Sequence, residues 1–257
     1  MSVRGKKVLV LGLSKSGIAA AVFANKHGAN VYLTESNDVT TKEKSDQVKA
    51  LEDLGIHVEY GRHSQEFIKG SDIAVTSPGI PPRSEIIRRV REEQIPVISE
   101  LELAYRECDI PFIVITGTNG KTTTTSLTAH ILSKKLKTTA CGNIGTPPCS
   151  IADENLDYFV CEASSYQLEM STSLKPYIAV WTNFTPDHID WHNGLENYFN
   201  AKARIFRKPQ TAQYCVLNAA DPKLLEFSKE VEGELFMFGA DVGPNCCYID
   251  NEKIIKL

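Results

Sequence analysis

The chain has 257 residues, of which 42% are hydrophobic and 23% are charged, and its formal net charge at pH 7 is −4. This composition is typical of a globular protein of about two domains and excludes a disordered, collagen-like or membrane-spanning chain. A slight net negative charge gives no general attraction to nucleic acid or to an anionic membrane, so we expect neither partner.

The N-terminal residues lead into an apolar run of only about five residues. Such a run is too short for the core of a signal peptide or for a membrane-spanning helix. We therefore expect a cytoplasmic protein, and we expect it to be a monomer.

The first hundred residues alternate between strand-like and helix-like segments. The predicted strands cover residues 8–11, 31–34, 56–60, 73–76 and 97–98. The predicted helices cover residues 17–27, 42–54 and 84–94, and a further predicted helix at residues 100–106 leads into the second domain. Repeated alternation with short glycine-containing turns predicts a Rossmann-like domain, in which right-handed crossovers join the strands of a parallel sheet.

A second α/β series follows, with predicted strands at residues 112–115, 158–161, 178–181, 214–217 and 235–238 and a predicted helix at residues 122–136. We place the domain boundary between residues 98 and 99, so that the domains span residues 1–98 and 99–257. Residues 247–255 predict a hairpin around Asp250 and Asn251. Because the chain stops within sheet-like sequence, we expect the second domain to be incomplete at its C-terminal end.

The strongest local signal is the segment 113–123, with sequence IVITGTNGKTT. A buried strand ends in a turn where Gly117 and Gly120 allow close approach of a ligand, and the following helix presents its first N–H groups to that turn. Lys121 adds a positive charge, and Thr122 can ligate the Mg²⁺ of a bound nucleotide. We predict a P-loop ATPase-type site, with ATP bound by Gly117, Thr118, Asn119, Gly120, Lys121, Thr122 and Thr123.

This loop is shorter than the standard pattern G-x-x-x-x-G-K-[ST], because the preceding glycine lies only three residues before Gly120. The alternative interpretation is an ordinary strand-to-helix turn with an exposed lysine. Glu162 and His188 follow other predicted strands of the same domain, at the edge where open α/β sheets bind ligands. Glu162 can therefore hold Mg²⁺ against the phosphates or remain a surface acid.

His188 and His192 have the i, i+4 spacing of a zinc site on a helix. The zinc-protease pattern requires a glutamate directly after the first histidine, and Ile189 occupies that position. We therefore reject this interpretation. We expect His192 to be structural or solvent-exposed, and we expect Asp187 and Asp190 to orient His188.

The first βα turn, residues 12–17, resembles a dinucleotide-binding fingerprint, with Glu35 at the end of the next strand. Ser14 replaces the middle glycine, so a pyrophosphate cannot approach as it does in a nicotinamide enzyme, and a dehydrogenase is disfavoured. The turn can still bind a diphosphate, with Glu35 or Ser36 reaching a ribose or a uracil.

Several ordered motifs in the second domain resemble the Mur ligases and the related folylpolyglutamate synthetases. They are residues 116–123 (TGTNGKTT), 142–145 (GNIG), 161–168 (CEASSYQL), 183–192 (NFTPDHIDWH) and 198–202 (YFNAK). The resemblance extends into the first domain at residues 10–19 and 76–82. It implies a family of ATP-dependent amide ligases.

The resemblance also implies roles for individual residues. Lys121, His188 and Lys202 would be catalytic. Thr122 and Glu162 would hold one Mg²⁺, and His188 and Lys202 would serve a second. Lys202 would be carbamylated by CO₂; unmodified, it could be a helix-surface residue paired with phosphate. The substrate-binding positions would be Lys15, Ser16, Glu35, Ser36, Ser77, Gly79, Asn143 and Ser164.

The implied reaction belongs to peptidoglycan precursor synthesis, with UDP-N-acetylmuramoyl-L-alanine, D-glutamate and ATP as substrates and an acyl phosphate as intermediate. The family's C-terminal domain has no counterpart in this sequence, so we expect the chain to bind the UDP substrate but to ligate poorly or not at all. Two alternatives remain, namely another amide ligase of the Mur or folylpolyglutamate type and a non-catalytic nucleotide-binding module.

Overall fold

The computed structural model describes residues 2–250 and 253–256. The chain divides into two compact units. The first contains the residues up to Asp109 together with Gly145–Asp153, and the second contains Ile110–Ile144 and the residues from Glu154 onward.

The first unit is built on a parallel sheet of five strands in the order β3-β2-β1-β4-β5. The strands are β1 (Lys7–Leu11), β2 (Asn30–Glu35), β3 (His57–Tyr60), β4 (Ile73–Thr76) and β5 (Val97–Ser99). All five were predicted from the sequence. Val8, Leu9, Val10 and Leu11 are almost completely buried, as expected for a central strand with helices on both faces. The Rossmann-like prediction is thus confirmed.

The helices of the first unit are α1 (Lys15–Lys26), α2 (Lys42–Asp53), α3 (Gln65–Ile68), α4 (Glu85–Glu92) and α5 (Glu100–Glu107). Each begins after a serine or threonine whose hydroxyl accepts an N–H of the first turn. The capping residues are Ser14, Thr41, Ser64, Ser84 and Ser99. Helix α3 was not predicted from the sequence, because it has only four residues.

The segment Gly145–Asp153 and helix α5 both pack in the first unit. The Cys149 N–H donates a hydrogen bond to Glu100 Oε1 at 2.6 Å, and Lys26 forms an ion pair with Asp153. The compact units therefore group these segments differently from the boundary between residues 98 and 99, which stays a prediction. The physical reason is that α5 and a later segment bury their side chains against α1 and its neighbours, which a boundary drawn along the sequence does not capture.

The second unit contains an eight-stranded sheet in the order β13-β12-β11-β10-β9-β6-β8-β7. Its strands are β6 (Phe112–Thr116), β7 (Thr138–Gly142), β8 (Tyr158–Glu162), β9 (Ile178–Trp181), β10 (Tyr214–Asn218), β11 (Glu234–Phe238), β12 (Cys246–Asp250) and β13 (Lys253–Lys256). Among the strands that the structure describes, only β12 and β13 pair antiparallel, as a hairpin requires. Of the predicted turn, Asn251 lies outside the described residues. Strand β7 was not predicted from the sequence, because this edge strand has little apolar character.

The helices of the second unit are α6 (Lys121–Leu132), α7 (Ser165–Glu169), α8 (Ile189–His192), α9 (Leu195–Ala203) and α10 (Pro222–Phe227). The predicted helix 122–136 is therefore four residues shorter at its C-terminal end. Trp181 is completely buried at the centre of an aromatic cluster with Phe199, Phe206 and Phe227. Throughout the described part of the chain, no helix has the length and apolarity needed to span a membrane.

Candidate functional site

Three adjacent strands of the second sheet end at the same edge. Strand β6 lies between β8 and β9, and all three run parallel. The predicted ATP loop follows β6, Glu162 ends β8, and the segment containing His188 follows β9. Because the order of the strands reverses here, this edge is where an open α/β sheet forms a ligand crevice.

The turn after β6 has a backbone that requires glycine. Gly117 has a φ of +147°, and a Cβ atom built on it would lie 2.0 Å from Thr182 Oγ1. Gly120 has a left-handed backbone with φ +77° directly before α6. No side chain caps this helix, so its first N–H groups remain available to an anion.

The loop is held in place by the two residues that follow β9. Asn183 accepts the Asn119 N–H through Oδ1 at 2.9 Å and donates through Nδ2 to the Asn119 carbonyl at 3.0 Å. Thr182 Oγ1 donates to the same carbonyl at 2.7 Å. No individual role was predicted for Thr182 or Asn183. The available signal was their position at the end of a strand next to the loop strand.

The remaining loop residues differ in their surroundings. Lys121 Nζ donates to the Thr118 carbonyl at 2.8 Å, which keeps the ammonium group over the loop. Thr118 Oγ1 lies 3.1 Å from the Tyr198 hydroxyl and accepts the Thr185 N–H at 3.0 Å. Thr123 is exposed in the first turn of α6. The predicted loop thus combines a fixed backbone with an ammonium group and two exposed hydroxyl-bearing residues of α6, Thr122 and Thr123.

The structure brings together the residues predicted for the first metal. Thr122 Oγ1 donates to Glu162 Oε2 at 2.6 Å, and Asn143 Nδ2 donates to Glu162 Oε1 at 2.9 Å. Glu162 is only 2% exposed. A hydroxyl and a carboxylate beside a phosphate-binding turn are the hard oxygen ligands that Mg²⁺ prefers, so these residues fit that ion. Among the described residues, no group of three or more His, Cys, Asp or Glu side chains is placed to hold a metal by itself.

Lys202 lies beneath the loop on helix α9. It is 2% exposed, which excludes the alternative of a helix-surface residue. Its Nζ donates to the Gly117 carbonyl at 2.9 Å and lies 4.8 Å from the centre of the Tyr198 ring. Burial, together with the nearby Lys121 ammonium, lowers the pKa of Lys202 to about 7. This lysine therefore becomes neutral near physiological pH.

His188 lies apart from Lys202 in the contacts that the structure describes. It directly precedes α8 and has a left-handed backbone, and its side chain is about half exposed. Its Nε2 lies 3.3 Å from Asp187 Oδ2, as predicted for an orienting carboxylate. No contact joins His188 to Lys202 within the described part of the chain, so the second metal set stays a prediction.

His192 is buried, which leaves the structural alternative of the two that the sequence allowed. Its Nε2 lies 2.8 Å from Ser165 Oγ, and its Nδ1 lies 3.0 Å from Glu169 Oε2. The neighbouring Ser164 caps α7 by accepting the Gln167 N–H. These contacts join α8 to α7 within the second unit.

The first unit has its own cleft, of about 510 Å³, at the carboxyl ends of β1, β2 and β4. Its polar and glycine lining consists of Gly12, Ser14, Glu35, Ser36, Asn37, His63, Ser77, Gly79, Ser84 and Glu85. Four predicted substrate residues, Glu35, Ser36, Ser77 and Gly79, are therefore in one place. Ser16 lies next to this group, since its Oγ is 3.1 Å from Ser14 Oγ. Lys15 instead lines a separate groove of about 370 Å³ on α1.

The turn below this cleft explains the incomplete fingerprint. A Cβ atom on Gly17 would lie 2.0 Å from the Gly12 carbonyl oxygen, so helix and turn pack with no space for a side chain. Ser14, in the place of the middle glycine, donates to Ser77 Oγ at 2.7 Å. Burial favours a higher pKa for Glu35, but hydrogen bonds from Asn37 and from the Leu13 N–H outweigh it and hold the pKa below its ordinary value.

Parallel sheets with a glycine-lysine turn and a hydroxyl-carboxylate pair at one sheet edge define an α/β protein with a phosphate-binding loop. Comparison with protein families gives a more specific assignment. The description "Mur ligase middle domain" matches residues 115–246, and "Mur ligase MurD-like, N-terminal domain" matches residues 6–99. The chain belongs to the Mur ligase family.

Individual relatives agree with this assignment. The chain is 42% identical over 241 residues to the UDP-N-acetylmuramoylalanine–D-glutamate ligase of Koribacter versatilis, covering 93% of this chain and 53% of that protein. It is 38% identical to the ligase of the same name from Caldanaerobacter subterraneus, covering 100% of this chain and 59% of that protein. The chain thus spans between half and three fifths of the length of these curated relatives.

A solved structure supports the fold. The crystal structure of UDP-N-acetylmuramate:L-alanyl-γ-D-glutamyl-meso-diaminopimelate ligase from Neisseria meningitides superposes with a TM-score of 0.63 at 20% sequence identity. The match covers 98% of this chain and 84% of that one. At this level of identity it shows a shared fold, in agreement with the two α/β domains expected from the sequence.

Proposed function

We propose that the chain works in an ATP-dependent ligase that joins D-glutamate to UDP-N-acetylmuramoyl-L-alanine during peptidoglycan precursor synthesis. The observation that carries this proposal is the site at the end of β6, where Lys121, Thr122 and Glu162 surround an uncapped helix N-terminus. The relatives that bear this activity by name are 38–42% identical over nearly the whole chain. Within the proposal, the protein acts in the cytoplasm and is a monomer. Light scattering, which measures molar mass, tests the monomeric state.

The proposed chemistry activates a carboxylate. The oxygen of the substrate carboxylate attacks the γ-phosphorus of ATP, the bond to the β,γ-bridging oxygen breaks, and ADP leaves. The amine of D-glutamate then attacks the carbonyl carbon of the acyl phosphate, forming an amide and releasing phosphate and a proton. The protein positions the reactants and supplies charge. The loop amides and Lys121 hold the phosphates, and Asn143 and Ser164 orient the substrate carboxylate.

Thr122 and Glu162 would hold Mg²⁺, which would neutralise the charge of the phosphates. For the second predicted set, His188 and Lys202, the supporting observation is the chemistry of Lys202. A carbamate forms only from a neutral amine, and burial lowers the pKa of this lysine to about 7. Lys202 is therefore suited to carry the proposed carbamate.

A pH titration tests this role of Lys202. With ¹³C-labelled bicarbonate, we expect a carbamate NMR signal to grow as the pH rises through about 7, whereas an ordinary lysine stays charged to about 10.5. In the unfolded chain Lys202 stays protonated up to about pH 10.5. Loss of its proton in the folded state therefore raises the free energy of unfolding as the pH increases from 7 to about 10.5. Lys202→Met should lack the signal, and the exposed Lys135→Met should keep it. A signal that survives Lys202→Met contradicts the assignment.

Calorimetric titration tests the function itself. We expect the chain to bind UDP-N-acetylmuramoyl-L-alanine and MgATP, and to ignore folate and NADH. Binding of UDP-linked tripeptides in preference would indicate another ligase of the family. Binding of nucleotide without any UDP-linked precursor would favour a non-catalytic nucleotide-binding module, the alternative that the sequence left open.

A further inference from the structure

His63 is a titratable residue of the first-unit cleft that is not among the predicted substrate-binding positions. It lies in the loop between β3 and α3 and lines the cleft together with Glu35, Ser36 and Ser77. One side of its ring faces the protein, because Nδ1 lies 2.7 Å from Oγ1 of Thr34, a residue with 0% exposure. What the other nitrogen can bind depends on which nitrogen carries the proton.

The neighbours of Thr34 determine that tautomer. Its Oγ1 lies 3.0 Å from Glu59 Oε1 and 3.1 Å from the Arg62 carbonyl oxygen. Burial of Glu59 favours a higher pKa, but hydrogen bonds from Ser64 and Thr34 hold the pKa below its ordinary value, so the group is a carboxylate. A carboxylate and a carbonyl can only accept, and a hydroxyl has one proton to give. Thr34 therefore donates to one of them and accepts from His63 Nδ1–H.

With the proton on Nδ1, Nε2 of the neutral ring is an acceptor. Burial lowers the pKa of His63 and outweighs the carboxylates of Glu35 and Glu59, which favour a higher pKa. The lowered pKa keeps the ring neutral at pH 7 and above. The structure describes no hydrogen bond to Nε2 of His63 in the residues it covers. By contrast, Glu35 in the same cleft already accepts hydrogen bonds on both oxygens. Nε2 is thus an acceptor with no described partner, on a residue that lines the cleft and at the edge of the ring away from Thr34.

We propose that His63 is a specificity residue of the cleft, whose Nε2 accepts a hydrogen bond from a nucleoside diphosphate. The donor is either the imide N–H of a uracil ring or a ribose hydroxyl, since both are hydrogen-bond donors on such a ligand. This inference rests on the proposed function, which assigns a UDP-linked substrate to the first unit. It adds His63 as the residue that favours a nucleoside with a hydrogen-bond donor over one with a hydrogen-bond acceptor at that position.

Two variants distinguish the proposed hydrogen bond to Nε2 from the contact between Nδ1 and Thr34. The side-chain oxygen of Gln reaches about as far as Nε2, whereas the amide of Asn reaches about as far as Nδ1. His63→Gln should bind UDP with nearly wild-type affinity, and His63→Asn should bind about fivefold to tenfold more weakly, the effect expected for one hydrogen bond. His57→Gln is the matched control, because His57 stacks on Tyr32 and does not line the cleft. Preserved affinity in His63→Asn overturns the proposal.

The ligand arms of the experiment use UDP, 3-methyl-UDP and 2′,3′-dideoxy-UDP, measured by calorimetry on wild type and on His63→Leu. One analogue should lose about fivefold to tenfold affinity for the wild type, and this loss should vanish in His63→Leu. The analogue that loses affinity identifies the donor as imide or hydroxyl. If neither analogue is weakened, or if the loss persists in His63→Leu, the proposal is wrong. A folded wild type that binds no UDP would instead contradict the proposed function.

Discussion

Replacing Lys121 by alanine should weaken the binding of MgATP by about tenfold to a hundredfold. The ammonium group lies over the loop, held by the Thr118 carbonyl at 2.8 Å, and this neutral partner is easily exchanged for a phosphate oxygen. A charge-assisted hydrogen bond contributes about 1.5–3 kcal/mol, which corresponds to this range of affinity. Calorimetry on wild type and variant measures the change, with circular dichroism to verify the fold.

The same substitution should leave a second signature. The positive charge of Lys121 helps to lower the pKa of Lys202, so Lys121→Ala should move the carbamate titration of Lys202 to higher pH. Lys135→Ala, at an exposed position of the same unit, should change neither measurement. If Lys121→Ala binds MgATP as well as the wild type does, the loop is only a turn, the alternative that the sequence left open.

The sequence predicted the frame of this site because its signals are local. A buried apolar strand, a glycine turn and a helix are contiguous, so the strand, the turn and the start of the helix could be placed without knowledge of the fold, although the helix ends four residues earlier than predicted. Glu162 could be placed with them because it ends a strand and parallel strands share an edge. The hydrogen bond between Thr122 and Glu162 follows from that topology.

The sequence could not predict contacts that depend on packing between distant segments. The helix containing Lys202 crosses beneath the loop and buries an amine that composition alone would place in water. The hydrogen bonds between Asn183 and Asn119 depend on β9 lying next to β6. The sequence places Asn183 just after a strand, but periodicity does not show which strand is its neighbour. The same holds for Lys15, which adjoins Ser16 in sequence but faces a different groove.

Gly117→Ala should lower the free energy of unfolding by about 2–4 kcal/mol and abolish nucleotide binding. The backbone at φ +147° is unfavourable for any residue with a Cβ atom, and that atom would lie 2.0 Å from Thr182 Oγ1. Relief would require the loop to move away from β9, which would break the hydrogen bonds that Thr182 and Asn183 make to Asn119. Chemical denaturation and calorimetry with MgATP measure the two effects.

The neighbouring glycine provides the control. Gly120→Ala meets no atom within 4 Å, so only the left-handed backbone at φ +77° should count, at about 1–2 kcal/mol. Adding Thr182→Ala to Gly117→Ala removes the closest contact, and the double variant should be less destabilised than the sum of the two single variants. Equal effects of Gly117→Ala and Gly120→Ala, with strict additivity in the double variant, would show that the loop does not depend on close contact with β9.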